Sequence, residues 1–339
     1  MLLSQPKLAA RTTLLILALL SFILSALPTL PSRFIERWFA RGAFPRISTF
    51  FGFVADAVPF AWLDVLIPAG LIFIIVCVRK RRWMPIGLAA AAAYLVFFWS
   101  WGLNYHREPL LSKVYVESAD MAASVVAALT QRAAQEINSL YPQVQATPYD
   151  DAQVRRLAEE RVGRVIQKLD GTVWRAATRI KISAVATPWF RFAGIDGLFN
   201  PLVHEPILNP NVLNIERPFV MAHELAHVRG YPDEGDANFV GLLATLMSDN
   251  PRLRYSGWLE LWLYLRTRGS DSLLDAGPRN DLQRIFDRLR SERIVWISNL
   301  QSTILDLFLK ANSVPEGVQS YSRIVILAAG TQQVWDGFR

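Results

Sequence analysis

The residues of this chain whose types and spacing could do chemistry together are His223-Glu224-Leu225-Ala226-His227. On a helix, positions i and i+4 share a face about one turn apart, so both imidazoles can reach one Zn²⁺ at ~2.0–2.1 Å. Glu224 beside them can hold water at the metal and take its proton, which is the chemistry of hydrolysis. The competing reading is a pair of surface helix residues with Glu224 as a solvated neighbour, which a bare pentapeptide does not exclude. The residues that follow favour the metal. Gly230 can take the left-handed conformation that ends a helix and Pro232 prevents its resumption, so the chain can turn back and bring an acid to the site.

A structural zinc is closed by four protein ligands, whereas a catalytic one uses three and leaves a position for water. Two acids compete for the third place. Asp233 lies six residues after His227, where some short-loop zinc proteases put their last ligand. Glu234 opens Glu234-Gly235-Asp236-Ala237-Asn238, which is similar to the Glu-x-x-Ala-Asp that gluzincins carry on a following helix. Glu234 is the better choice, because Asn238 one turn later can support it and residues 239–247 supply the buried side of that helix. Asp236 reads as a solvated or capping acid.

Other candidates carry bland readings beside the chemical one. His204 precedes a short edge strand at Pro206 to Asn209 and could touch substrate or metal, but a hydrogen-bonded loop histidine is the commoner case. His106 sits at the end of an apolar run and reads as an interfacial residue. Tyr255 and Tyr321 could donate to the oxyanion of a tetrahedral intermediate, although buried packing tyrosines are commoner. Trp258, Trp262 and Trp296 recur at helical spacing, and core or membrane-facing packing explains them.

The elements that must position this motif follow from composition. The chain has 339 residues, 52% hydrophobic and 19% charged, enough for a substantial core, and its one cysteine, Cys77, excludes a disulfide framework or a cysteine-built zinc site. The net charge of +7 is local: ten of the 36 Lys/Arg but three of the 29 acids fall within residues 1–105, leaving 26 of each beyond. That third is also the most apolar, so its basicity reads as membrane topology and no nucleic-acid partner is expected. Three segments, at about 12–31, 57–78 and 83–105, approach the ~20 apolar residues that span a bilayer. Asp64 interrupts the second near one end, where a partner-bound carboxylate is tolerated. Arg79-Lys80-Arg81-Arg82, between spans two and three, belongs in the cytoplasm, which puts everything after Tyr105 outside. Against this stand Arg33, Arg37, Arg41 and Arg46, spread among aromatic residues as in a helix lying on a membrane surface.

Beyond the membrane, helices are expected over 118–140, stopping at Tyr141-Pro142, and over about 150–169, both as a stalk or outer layer. Residues 179–186 alternate with period two and read as a strand. From Arg217 onward the pattern is helical, with loops at Gly230-Tyr231-Pro232, Asn250-Pro251, Gly277-Pro278 and Val314-Pro315.

The whole resembles an uncharacterised family of bacterial three-pass membrane proteins, a domain-of-unknown-function family whose carboxy-terminal part is placed among HExxH zincins of the gluzincin type. The resemblance rests on Val58-Pro59-Phe60-Ala61-Trp62-Leu63-Asp64, Trp101-Gly102-Leu103-Asn104-Tyr105-His106-Arg107, the block from His223 to Phe239, Arg254-Tyr255-Ser256-Gly257, and Leu309-Lys310-Ala311-Asn312 through Ser320-Tyr321. In that family's pattern the place of Asp233 is more usually basic and that of Asp236 more usually Glu, which favours Glu234 as the ligand. The expectation is therefore a mainly α membrane protein: a three-span anchor over 1–105, then an extracytoplasmic α+β zincin-like domain with a small sheet over 106–339. Its expected function is zinc-dependent hydrolysis of peptide bonds near the outer membrane face. Glu224 would be the general base, His223, His227 and Glu234 the ligands, and membrane lipid and a peptide or protein substrate the partners. The alternative is a membrane assembly or sensor protein that keeps the metal residues for structure.

Overall fold

The computed structural model describes residues 5–26, 30–114, 123–173, 178–267, 269–332 and 335. Its first helix, α1 (Gln5–Ala26), contains Leu8–Ser25, an apolar run with Arg11 as its one charge and hardly buried against the rest of the chain; among the described residues it is the one helix long and apolar enough to cross a bilayer alone. The expected first span reached residue 31, of which 27–29 lie outside the described residues. After α2 (Ser32–Phe34) the chain winds through a π-helical stretch, Ile35–Ala43, into α3 (Phe44–Asp56). This stretch is amphipathic: Phe39 and Phe44 are buried while Phe34 and Trp38 are exposed.

Of the three expected spans, only the first is matched among the described residues by a helix long and apolar enough to cross alone. The helices α4 (Leu63–Arg79) and α5 (Met84–Ser100) have 17 residues each, about 26 Å at the rise of an α-helix, less than a ~30 Å hydrocarbon core. Both are cut short because the flanking residues are claimed by the carboxyl-terminal half. The Trp62 amide donates to Glu205 Oε2 at 3.1 Å, and Asp64 Oδ1 accepts from Ser183 Oγ at 2.6 Å and from the Val185 amide at 2.9 Å. At the other helix end, Gly102–His106 tighten into a 3₁₀ turn and Trp101 Nε1 donates to the His227 carbonyl at 3.3 Å. Contacts thus cross residue 105 in both directions.

Residues 115–122 lie outside the described residues, so only the later part of the expected 118–140 helix is seen; α6 (Ala123–Ala146) runs through Pro142 rather than stopping before it. The helix α7 (Asp151–Asp170) begins at Asp150, whose carboxylate accepts from the amides of Ala152 and Gln153, and ends at Gly171. It is not a stalk. Val154, Ala158, Val162, Val165 and Ile166 form one buried stripe in the main core.

The strand expected over 179–186 is absent apart from a single parallel bridge, Lys181 to Ile207. The turn before α4 captures its side chains instead: Lys181 Nζ donates to the Ala55 and Phe60 carbonyls and pairs with Glu205. The chain then enters α8 (Thr187–Ala193). The sheet is a two-stranded antiparallel hairpin, β1 (Gly197–Asn200) with β2 (Glu205–Leu208), in a register pairing Gly197 with Leu208 and Asn200 with Glu205. The expected edge strand at 206–209 is therefore β2, displaced by one residue.

Helices fill the remainder: α9 (Arg217–Val228), α10 (Glu234–Leu246), α11 (Pro251–Leu265), α12 (Ala276–Glu292), α13 (Val295–Ala311) and α14 (Arg323–Gly330). Gly277-Pro278, expected as a loop, forms the first turn of α12, where proline's missing N–H costs nothing. Every residue of α10 from Gly235 to Leu246 is buried, so it is the core helix about which α7, α9, α11 and α14 pack. The fold is mainly helical with one small sheet.

Candidate metal centre

The helix α9 is buried on nearly all sides and is started by Pro218. Its partner α10 crosses it at Gly241, where an added Cβ would lie 3.1 Å from the His223 amide nitrogen, so the crossing is close enough to fix His223 against a backbone. The turn after α9 depends on Gly230 at φ +81°, and a side chain there would also meet Phe44 at 2.7 Å. Asp233 then caps α10, accepting from the Asp236 amide at 3.0 Å. Glu234 follows as the first residue of α10, returned to the histidine face by this reversal.

The result is a triangle of donor atoms. His223 Nε2 and His227 Nε2 are 3.1 Å apart, and Glu234 Oε2 lies 3.2 Å from the first and 3.4 Å from the second. At metal–ligand bonds of ~2.0–2.1 Å, tetrahedral coordination separates neighbouring donors by about 3.3–3.4 Å. The three atoms are thus spaced as ligands of one ion with no further movement. His227 Nδ1 donates to the Tyr231 carbonyl at 2.7 Å, which leaves Nε2 as the free lone pair facing the centre. These residues fit zinc, and their composition of two imidazoles and one carboxylate is that of an open site.

Charge is arranged to match. Burial opposes ionisation of His227, yet Glu234 and Glu224 more than offset it and push its pKa up to about 9 in the metal-free protein. Burial raises Glu234 as well, and the two histidines overcome it and hold the carboxylate well below its usual range. Glu224 differs from Glu234. It is 3% exposed, its carboxylate abuts the β1 backbone at Gly197, its Oε2 has no hydrogen-bond partner among the described residues, and burial holds its pKa up at about 7.

The structure brings together His223, His227, Glu234 and Glu224 and sets the other candidates apart. Asp233 is turned away to Arg323 Nη1 at 3.0 Å. Asp236 accepts from the Leu110 amide and faces the same arginine, and burial with Asp233 nearby raises its pKa to about 6. His204 is fully buried at φ +53°, stacked on Phe51 at 4.6 Å with Nε2 3.2 Å from Ser100 Oγ, and burial keeps it neutral with a pKa of about 3. His106 is no part of the donor group. Tyr255 donates to Asp281 at 3.0 Å and is a packing residue, whereas Tyr321 hydrogen-bonds Glu234. Asn238 donates to Tyr264 Oη at 3.3 Å rather than to a ligand.

Sequence reasoning missed the residues behind the ligands. Tyr231, whose carbonyl orients His227, also donates its hydroxyl to Asp170 at 3.0 Å, and its ring lies under the Arg107 guanidinium at 4.3 Å. Arg107 in turn donates to the Gly230 carbonyl at 2.8 Å and pairs with Glu36 and Asp170. The signal available was the cluster Trp101 to Arg107 at the end of an apolar run, which carries more polar groups than a span end needs.

No curated protein and no solved structure matches the chain. A family model described as a protein of unknown function (DUF3810) matches residues 39–329. The match runs from within the amphipathic stretch to the last turn of α14, most of the chain, and the chain belongs to this family of unknown function.

Proposed function

We propose that the protein is a membrane-anchored zinc-dependent metallopeptidase acting on peptide bonds near the outer membrane face. The observation that carries this reading is the triangle of His223, His227 and Glu234 donors at 3.1–3.4 Å with the buried carboxylate of Glu224 beside it. The zincin-like character of residues 106–339 is part of the same reading. His223, His227 and Glu234 would hold the ion; zinc supplies Lewis acidity, lowering the pKa of water and polarising a scissile carbonyl. Glu224 takes one proton from the attacking water and returns it to the departing amine nitrogen, a task suited by a pKa held up near 7. Tyr321 holds the Glu234 carboxylate through its hydroxyl. A structural site would need a fourth protein ligand, and the described residues bring three together.

The three-span anchor is kept as a proposal, with α4 and α5 crossing beside α1. Support comes from their exposed apolar sides, including Leu71, Ile72 and Ile75 on α4, and from 17 residues being within the ~17–25 found for spans. The turn Arg79 to Arg82 lies at the opposite ends of α4 and α5 from Trp62 and Trp101, which touch the carboxyl-terminal half. The test of the centre is metal analysis of the purified protein in detergent: about one zinc per chain is expected, with loss in the double variant His223→Ala, His227→Ala. Full occupancy in that variant rules the assignment out.

A further inference from the structure

The helix α13 (Val295–Ala311) leaves an apolar face open that the proposed chemistry does not use. Val295, Trp296, Leu300, Ile304, Leu307 and Phe308 are 66, 67, 44, 51, 63 and 40% exposed. Residues 296, 300, 304 and 307 to 308 recur at helical spacing, so they form one stripe, while Ile297 and Leu309 are buried on the inner side. Within the helix the only charges are Asp306 and Lys310, paired with each other at 2.7 Å. Two more aromatic side chains extend the stripe sideways: Trp189 and Phe192 of α8, each 37% exposed, are tied to it by Trp189 Nε1 donating to Gln301 at 3.3 Å and by the Ile294 amide donating to the Phe192 carbonyl at 2.9 Å.

The position of this face identifies its occupant. Phe308 packs with Phe97 at 5.9 Å and with Tyr105 at 6.2 Å between ring centroids. Phe97 is one turn from the end of α5, so the carboxyl end of α13 sits at the level of the last turn of that apolar helix. A helix that sets large apolar and aromatic residues on one face and polar ones such as Asn299, Ser302, Thr303, Asp306 and Lys310 elsewhere can lie in the plane of a membrane interface. We propose that α13, with Trp189 and Phe192 of α8, rests in the lipid interface as a monotopic contact of the carboxyl-terminal half. This rests on the reading of α1 and α5 as membrane helices.

The test places a single cysteine in a Cys77→Ser background at Leu300 or Leu307 in α13, at Leu19 in α1 and at Gln143 in α6, each labelled with bimane in nanodiscs of phosphatidylethanolamine and phosphatidylglycerol. Quenching by nitroxide-labelled lipid and by aqueous iodide is then compared. Expected is lipid quenching at Leu300 and Leu307 within about twofold of that at Leu19, at least severalfold protection from iodide, and the reverse at Gln143. Lipid quenching at Leu19 with iodide quenching at the α13 sites overturns the inference while leaving the membrane reading intact. Protection of the α13 sites from both quenchers also overturns it, because a protein surface then covers the stripe. Absence of lipid quenching at Leu19 overturns the membrane reading and this inference with it.

Discussion

Glu224 and Glu234 are ten residues apart and both largely withdrawn from water, yet they are driven in opposite directions. Glu234 has two imidazoles within 3.4 Å and stays ionised as a ligand must. Glu224 has an unpartnered oxygen, and burial holds it near the pH at which a carboxylate can both take and release a proton. Two predictions separate these roles. Glu224→Gln keeps size and a hydrogen-bonding oxygen but accepts no proton, so zinc content stays at the wild-type level while peptide hydrolysis falls by ~10²–10⁴-fold. Full rescue of a deletion strain by that variant would show that hydrolysis is not the protein's role. Glu234→Ala should weaken zinc binding by at least about tenfold, the scale seen when a metal site loses a supporting group. Asp233→Ala, which removes a cap and an ion pair with Arg323, should change it little. Titration with a zinc indicator decides it, and the reverse order would move the third ligand to Asp233. That His223, Glu224, His227 and Glu234 come close together is legible in the sequence because their spacing is set by one helix and one turn, both local. His204 and Tyr255 were open because a side chain's partner depends on distant chain, here Ser100 and Asp281.

At the scale of elements, the sequence reveals helices whose burial is one-sided and loses strands whose partners are not local. The helix expected over about 150–169 is matched by α7 to within a residue or two, and its Asp150 cap is found in the structure. Residues 179–186 carry a period of two, but they meet the outer edge of β2 only at the Lys181 bridge, because the Lys181 side chain is held by the Ala55 and Phe60 carbonyls before α4. Pro142 stays within α6 because α6 packs against α11 along its length, and that packing offsets a lost hydrogen bond. Least legible was the joint between the amphipathic stretch, the 3₁₀ turn, α7 and the turn after α9, where Glu36, Arg107, Lys113 and Asp170 form a buried network 2.5–3.0 Å apart. Burial raises the Glu36 carboxyl, but Arg107 and Lys113 overcome this and bring its pKa down to about 2, and Asp170 is lowered by the same pair. A carboxylate depressed on folding stabilises the fold fully above its unfolded pKa, about 4.5 for Glu36, and loses that contribution as pH falls through the folded value. The difference in thermal midpoint between wild type and Glu36→Gln should therefore be widest near neutrality and close as pH falls from about 4.5 to about 2. A constant difference would show that Glu36 is held by packing and not by its charge.

For the whole molecule, charge and apolar patterning carry the proposed membrane placement, and the contacts tie the candidate metal site to the segments proposed to cross. The Trp101 indole at the end of α5 donates to the carbonyl of His227, Ser48 Oγ of α3 donates to the Val228 carbonyl at 3.2 Å, and Arg107 holds the Gly230 carbonyl. The turn that returns Glu234 to the histidines is therefore built against α3, the end of α5 and the 3₁₀ turn after it, so in the proposed topology the candidate centre lies on whichever side of the bilayer those segments face. Two sets of basic residues compete to set that side. Arg33, Arg37, Arg41 and Arg46 are spread along a surface helix, where Arg41 is already engaged by Glu36 at 2.8 Å. Arg79, Lys80, Arg81 and Arg82 form a tight turn with no acid in it, at the far ends of α4 and α5. A short loop densely charged is retained in the cytoplasm more strongly than charges dispersed and partly neutralised. An alkaline phosphatase fused after Arg339 should thus be active and a cytoplasmic reporter at the same position silent. Moving the four basic residues out of the turn, by Arg79→Gln, Lys80→Gln, Arg81→Gln and Arg82→Gln together, should reduce or reverse that preference. A silent phosphatase in the unaltered chain would mean that the arginines of the surface helix outweigh the turn, and would place the metal centre on the cytoplasmic side.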